Sequence, residues 1–319
     1  MTALLEVSDL SVRFDTEDGP VYAVDEVSFT LGHGEVLGVV GESGCGKTVA
    51  LLSLVRLLPE NATVTGRAML DGVDLLALPP KQLRAVRGRQ VAYVFQEPMS
   101  SLNPSYTVGR QVGEVLERHL GLSRADARTR TIELLELVRI QGAAKRVDEY
   151  PHQLSGGMQQ RVMIAMALAG SPKVLVADEP TTALDVTTQA GILTLLGDIR
   201  DRLGTSIVLV THNLGVVAGL ADRVLVMYAG RVAEQAQVHD LFEQPQHPYT
   251  IGLLGAVPRG GEERLQEIPG RVPSLRERPT TCSFLDRCTR AEMPACGRVP
   301  PLREVDPAHL VACFRPGAA

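Results

Sequence analysis

The 319-residue chain has no apolar run that approaches the roughly 18 residues of a membrane-spanning helix. Its opening, "MTALLEVSDLSV", has neither a basic lead nor a small-residue cleavage site, so the sequence predicts a soluble intracellular chain. Work at a membrane then requires that something else hold it there. Positive charge is not in excess: the net charge is −5, and "KQLRAVRGRQ" (81–90) reads as a short solvated face. No basic footprint means no nucleic-acid partner is expected. Internal repeats and low-complexity segments are also missing. The cysteines lack the paired C-x₂-C arms of a typical zinc module. What is present is an ordinary globular mixture, 45% hydrophobic and 22% charged, enough for one large domain plus a smaller one.

"LLEVSDLSVRF" and "VYAVDEVSFTL" alternate apolar and polar residues, as half-buried strands do. "GEVLGVVG" is continuously apolar and precedes a glycine loop, which predicts a strand buried on both faces; "TVALLSLVRLL" then predicts a helix. "GRAMLDGVDL" adds antiparallel strand and "RQVAYVFQ" a further strand. Residues from about 108 to 170 are mostly helical in pattern, and a helix start is expected near Met158. Apolar strands return in "KVLVAD", "TSIVLVTH" and "RVLVMYAG", with a helix between the first two. Alternating strands and helices imply an α/β fold with a mainly parallel central sheet. "VPRGGEERLQE" marks an expected boundary near 257–267, beyond which the tail is proline-rich and aperiodic.

"GESGCGKT" (41–48) fits G-x-x-x-x-G-K-[S/T] between a buried strand and a helix. In such a loop Gly41, Glu42, Ser43, Gly44, Cys45 and Gly46 turn backbone N–H groups toward phosphate oxygens, and the helix N-terminus adds positive potential. Lys47 reaches the β- and γ-phosphates, and the Thr48 hydroxyl serves Mg²⁺. "VLVADEP" (174–180) ends an apolar strand in two carboxylates: Asp178 to hold Mg²⁺, Glu179 to polarise an attacking water. His212 and Gln96 are polar residues at two other strand ends, where open α/β sheets put ligand chemistry.

"LSGGMQQR" (154–161) offers a second anion site. Ser155 is a good N-cap, and Gly156 and Gly157 permit close approach to a ligand at a helix start. Residues 100–155 read as an inserted helical lobe that carries this site away from the first loop. It is therefore expected to serve the nucleotide of a facing copy.

"GESGCGKT", Gln96, "LSGGMQQ", "VLVADEP", "TALD" and His212, in that order, resemble the nucleotide-binding subunits of ABC transporters over roughly residues 4 to 255. The resemblance implies a P-loop NTPase fold of ABC type: a mainly parallel central sheet, an antiparallel β subdomain and a helical subdomain at about 98–170. It implies two subunits paired head to tail, each ATP lying between one P-loop and the other chain's LSGG. In that arrangement Lys47 and Thr48 hold phosphate and Mg²⁺, Asp178 serves Mg²⁺, and Gln96 senses metal and water. Glu179 is the general base, His212 the switch and Asp185 the dimer seam. Ser155, Gly156, Gly157 and Gln159 meet the partner's ATP. Phe14 is the position expected to stack adenine, with Tyr22 as the substitute.

"LFEQPQHPYTIGLLGAVP" (241–258), "EPMSSLNPSYTVGRQV" (97–112) and the tail resemble the dipeptide, oligopeptide and nickel importer branch. Domains are expected at 1–257 (ATP-binding) and 258–319 (a small cysteine-containing extension). The implied function is ATP hydrolysis that energises peptide import, with nickel as the alternative cargo. A soluble ABC ATPase acting on nucleic acid is the competing class, disfavoured by acidic charge and the lack of a coiled-coil insertion. The implied partners are a second, related ATPase chain, two membrane permeases and an extracytoplasmic binding protein, and the implied location is the cytoplasmic face of the inner membrane. Cys282, Cys288, Cys296 and Cys313 have gaps of five, seven and sixteen residues. Four thiolates without histidine suit a [4Fe–4S] cluster, which some members of this branch carry, or zinc, or they are buried free thiols.

Overall fold

The computed structural model describes residues 3–96, 101–182, 184–256 and 268–317. The boundary expected near 257–267, residues 97–100 of the "EPMSS" turn and Ala183 of "TALD" lie outside them. In chain order the strands are β1 Leu5–Thr16, β2 Gly19–Leu31, β3 Val36–Val40, β4 Ala62–Leu70, β5 Val73–Asp74, β6 Val91–Val94, β7 Val174–Asp178, β8 Ser206–Val210, β9 Arg223–Tyr228, β10 Arg231–Gln237, β11 Arg303–Asp306 and β12 His309–Val311. The helices are α1 Lys47–Leu54, α2 Pro80–Val86, α3 Val108–Leu120, α4 Arg124–Leu137, α5 Ala143–Arg146, α6 Gly156–Leu168, α7 Val186–Leu203, α8 Leu214–Leu220, α9 Val238–Glu243 and α10 Pro248–Gly255. By their contacts the described residues fall into two compact units.

The first unit comprises residues 1–32, 36–77 and 210–319. Its antiparallel sheet runs β2-β1-β4-β5. Alternation places Leu5, Val7, Leu10 and Val12 of β1 in the core, with register shifts between Val7 and Leu10 and again to Val12 that keep the apolar side inward. The same unit holds the strand run β11-β12-β10-β9-β3. All five residues of β3 are buried, as its unbroken apolar run predicts, and it pairs in parallel with β9. The tail, expected as a small appended domain, packs within this unit: β12 pairs antiparallel with β10, matching Glu234 to Val311.

The second unit comprises residues 33–35 and 78–209 and holds the run β8-β7-β6, with β6 and β7 parallel. Its longer helices start on side-chain caps: Thr107 accepts from Arg110 N, Ser123 from Asp126 N and Asp185 from Thr188 N. Helix α6 is the central one, burying Val162, Met163, Ile164, Ala165 and Leu168. Among the described residues no helix is long and apolar enough to cross a membrane.

Candidate nucleotide site

In the first unit the buried β3 delivers the chain directly into the glycine loop, and α1 opens at Lys47. Gly46 caps that helix at φ 100° without a side-chain bond, so the first-turn amides are presented by backbone alone. A Cβ at Gly46 would lie 2.3 Å from the carbonyl oxygen of Ala23, so only glycine fits. Lys47 is 7% exposed; its Nζ donates to the carbonyls of Gly41 at 2.7 Å and Glu42 at 2.9 Å, and lies 3.5 Å from Cys45 Sγ. The ammonium is thus curled under the loop, held by carbonyl dipoles, while Ser43, Gly44 and Thr48 are exposed. Burial pushes the Cys45 thiol up, against the pull of Lys47.

In the second unit β7, buried throughout, ends in Asp178 and Glu179. Glu179 sits at φ 46°, a left-handed conformation that a non-glycine residue holds only where its surroundings require it. Its Oε2 accepts from Gln96 Nε2 at 3.1 Å and from Thr182 Oγ1 at 2.8 Å. The structure therefore brings together two of the expected residues, Gln96 and Glu179. Two donors on one oxygen fix the direction of the Glu179 carboxylate. Burial and then the charge of Asp178 push the Tyr93 phenol up.

The same unit carries the "LSGG" turn. Ser155 Oγ accepts from Met158 N at 3.4 Å, and the helix begins at Gly156, two residues before the expected start, because the cap residue closes the first turn there. A Cβ on Gly157 would come within 2.6 Å of Thr188 Cγ2. Thr188 in turn belongs to the first turn of α7, where its amide and hydroxyl donate to the Asp185 carboxylate at 3.0 and 2.7 Å and hold it below the usual range. Ser155, Gly156, Gly157 and Asp185 therefore share one surface, on which Val186 is 82% exposed. Gln159, expected to meet a partner's ATP, lies beneath the turn. It is buried, and its amide donates to the carbonyls of Pro151 at 2.9 Å and Leu154 at 3.1 Å. In this chain it braces the turn from inside.

His212 is exposed in the first unit, just after Thr211, whose hydroxyl accepts from Asn213 N at 3.0 Å. Phe14 is half-buried on β1 opposite Val21. The Tyr22 ring is covered by the Arg278 guanidinium at 5.5 Å. Cys282, Cys288, Cys296 and Cys313 line one small cavity, and burial together with the neighbouring thiols pushes Cys282 up to about 11. Among the described residues no group of three His, Cys, Asp or Glu is arranged to hold a metal ion.

Two residues at the glycine loop escaped the sequence reading. Tyr249, inside the quoted "HPYT", is fully buried and its hydroxyl accepts from Glu42 N at 2.9 Å. Arg287, from the tail, grips the Glu42 carboxylate with both terminal nitrogens, at 2.8 and 3.0 Å. "HPYT" was itself a signal; Arg287 has none, because its partner lies 245 residues away.

The family model for ABC transporters matches residues 24–182, and the model for the oligopeptide/dipeptide transporter C-terminal region matches residues 233–296. The chain belongs to the ABC transporter family. It is 50% identical over 315 residues to the oligopeptide transport ATP-binding protein OppD of Salmonella typhimurium, covering 98% of this chain and 94% of that one. It is likewise 50% identical to OppD of Escherichia coli over 316 residues, with 98% and 94% covered. Among solved structures, the dimeric ATP-binding cassette MJ0796 in a post-hydrolysis state bound to ADP and Pi matches with a TM-score of 0.66 at 28% identity, covering 73% of this chain and 98% of that one. A cbiO1 structure from Clostridium perfringens, part of the cbiONQ ABC transporter complex, matches with a TM-score of 0.63 at 29% identity, covering 76% and 91%.

Proposed function

We propose that this chain is the ATP-hydrolysing subunit that energises peptide import through membrane permeases. The observation that carries the reading is a complete phosphate cradle on the same chain as an oligopeptide-type C-terminal region, with that region bonded to the cradle at Glu42. Both relatives named above are oligopeptide transport proteins, which favours peptide over nickel as the cargo.

In this reading the triphosphate lies along the amides of the glycine loop other than that of Glu42, which Tyr249 holds, with Lys47 and the N-terminus of α1 offsetting its charge. Thr48, Asp178 and Gln96 supply hydroxyl, carboxylate and amide oxygens, the hard donors that Mg²⁺ takes. Mg²⁺ when bound neutralises charge on the phosphates. Glu179 accepts a proton from the attacking water, whose oxygen bonds the γ-phosphorus as the bond to the bridging oxygen breaks, leaving ADP and phosphate. His212 contacts the γ-phosphate region, and Phe14 stacks the adenine, since the Tyr22 ring already carries Arg278. Ser155, Gly156 and Gly157 of a second ATPase chain complete the site, with Asp185 at the seam. The likeness to a dimeric cassette supports that pairing. We take the second chain to be a related rather than identical one. Two permeases hold the pair at the cytoplasmic face of the inner membrane, and an extracytoplasmic binding protein delivers cargo to them.

The four tail cysteines are soft donors of the kind a [4Fe–4S] cluster or zinc takes, and all four line one cavity. Cys282, Cys288, Cys296 and Cys313 would hold it as a staple for a tail with little regular structure. The functional reading is tested by purifying the chain with its permeases and assaying ATP turnover against di- and oligopeptides and Ni²⁺ in the presence of the binding protein. Stimulation by peptides is expected; stimulation by Ni²⁺ alone overturns the cargo, and no turnover overturns the ATPase.

A further inference from the structure

Glu42 is the second residue of the glycine loop, and each of its polar groups has a partner. Its amide donates to the Tyr249 hydroxyl at 2.9 Å. Its carboxylate takes both terminal nitrogens of Arg287. Its carbonyl accepts from Lys47 Nζ at 2.9 Å. Residues from α10 and the tail therefore grip the amide and the side chain of the residue whose carbonyl holds the phosphate-binding lysine.

Arg287 is built for that task. Its side chain is 6% exposed. Its Nε donates to Pro269 O at 2.8 Å, and one terminal nitrogen donates to Ile268 O at 3.2 Å. The other reaches the Tyr228 hydroxyl at 3.2 Å. The guanidinium also lies 5.7 Å from the Tyr228 ring and 5.9 Å from that of Phe284. A guanidinium held on several sides presents its planar fork to a carboxylate in one orientation only, which fixes the carboxylate's direction as well as its position. The Tyr249 ring packs against Tyr228 at 4.6 Å and Phe284 at 5.6 Å, so both grips on Glu42 rest on one aromatic cluster.

We infer that Arg287 is a positioning residue for nucleotide binding: through Glu42 the tail sets where Lys47 stands in the phosphate cradle. This rests on the reading of residues 41–48 as the ATP site. Because Lys47 offsets phosphate charge in the bound state and in the transition state alike, a misplaced lysine weakens both equally. The loss falls on KM and affinity rather than on kcat.

The test uses the full chain in its purified complex, with MgATP as the probe, comparing Arg287→Ala, Arg287→Lys, Glu42→Gln and the Arg287→Ala/Glu42→Gln pair. Arg287→Ala is expected to weaken MgATP binding about tenfold, with KM rising in step and kcat within about twofold, as loss of uniform binding predicts. Arg287→Lys recovers part of the affinity, since an ammonium keeps the charge but not the fork. The pair binds no more weakly than Arg287→Ala alone, because both changes break one linkage. A role confined to holding the tail together lowers thermal stability without moving KM, and that outcome overturns the inference. So does unchanged MgATP affinity in Arg287→Ala, or in Arg287→Lys if the alanine variant does not fold. If the parent chain fails to bind MgATP, the reading of the loop itself falls; if the parent binds and the variants match it, only the inference about Arg287 falls.

Discussion

Gln96 and Glu179 stand 83 residues apart in the chain and are joined by one hydrogen bond, Nε2 to Oε2 at 3.1 Å, on the oxygen that Thr182 also reaches. Each is the polar residue just past a buried strand, and β6 and β7 pair in parallel. The sheet register therefore brings an amide and a carboxylate to the same edge.

Glu179→Gln keeps a side chain that can still meet Thr182 but takes away the proton acceptor. MgATP binding is expected to persist while turnover falls by roughly 10²–10⁴-fold, the usual contribution of a positioned base. The measurement is phosphate release by the complex, with the partner ATPase chain's own site disabled. Turnover at the parent rate would remove Glu179 from the mechanism.

Gly46→Ala puts a Cβ 2.3 Å from Ala23 O at a backbone φ of 100°. Strain at such a position costs about 1–3 kcal/mol, so the urea midpoint falls and MgATP affinity falls with it. Denaturant titration and equilibrium binding on the same preparation check both. A variant with parent-like values on each count would show that the loop can rearrange.

Stability should fall in mild acid through His247. Its imidazole caps α10, accepting from Tyr249 N at 3.0 Å, and burial depresses it from 6.5 to about 4, against the opposing pull of Glu234. Between those values the unfolded chain binds a proton that the folded chain does not, so stability is full above about 6.5 and declines as pH falls toward 4. A shift of this size corresponds to about 2 kcal/mol lost by pH 5. His247→Asn keeps a capping oxygen without the titration, and a flatter pH profile in urea unfolding is expected. An equally steep profile would assign the acid sensitivity to other groups.

Iron and acid-labile sulfide are expected in anaerobically purified protein and should be lost in Cys282→Ser and Cys313→Ser. Elemental analysis with a sulfide assay reads this directly. Zinc without sulfide would replace the cluster, and neither would leave four free thiols.

The parts of the site legible in the sequence were those whose chemistry imposes local spacing. A phosphate cradle needs glycines, a lysine and a hydroxyl within eight residues, and a buried parallel strand needs the unbroken apolar run "VLGVV" that became β3. Ser155 was legible as a cap for the same reason, and the helix it starts came only two residues early. What escaped depends on partners far along the chain. β12 has three residues and owes its existence to β10, which no local periodicity announces. Arg287 is one arginine among many until the fold brings it to Glu42, 245 residues away. Gln159 reads as a polar residue in an anion-binding turn, and only the fold shows its amide spent on Pro151 and Leu154.

The account depends on two half-sites from different chains enclosing one ATP. The direct measurement is the ATP retained by the Glu179→Gln complex after rapid removal of free nucleotide, compared with the same complex also carrying Gly156→Asp, where a Cβ meets its own chain only at 3.9 Å, in both ATPase chains' equivalent turns. Retention of MgATP by the first and its loss from the second, with the glycine loop untouched, is the predicted result. Equal retention by both would show that one chain encloses its nucleotide unaided, and would contradict the account.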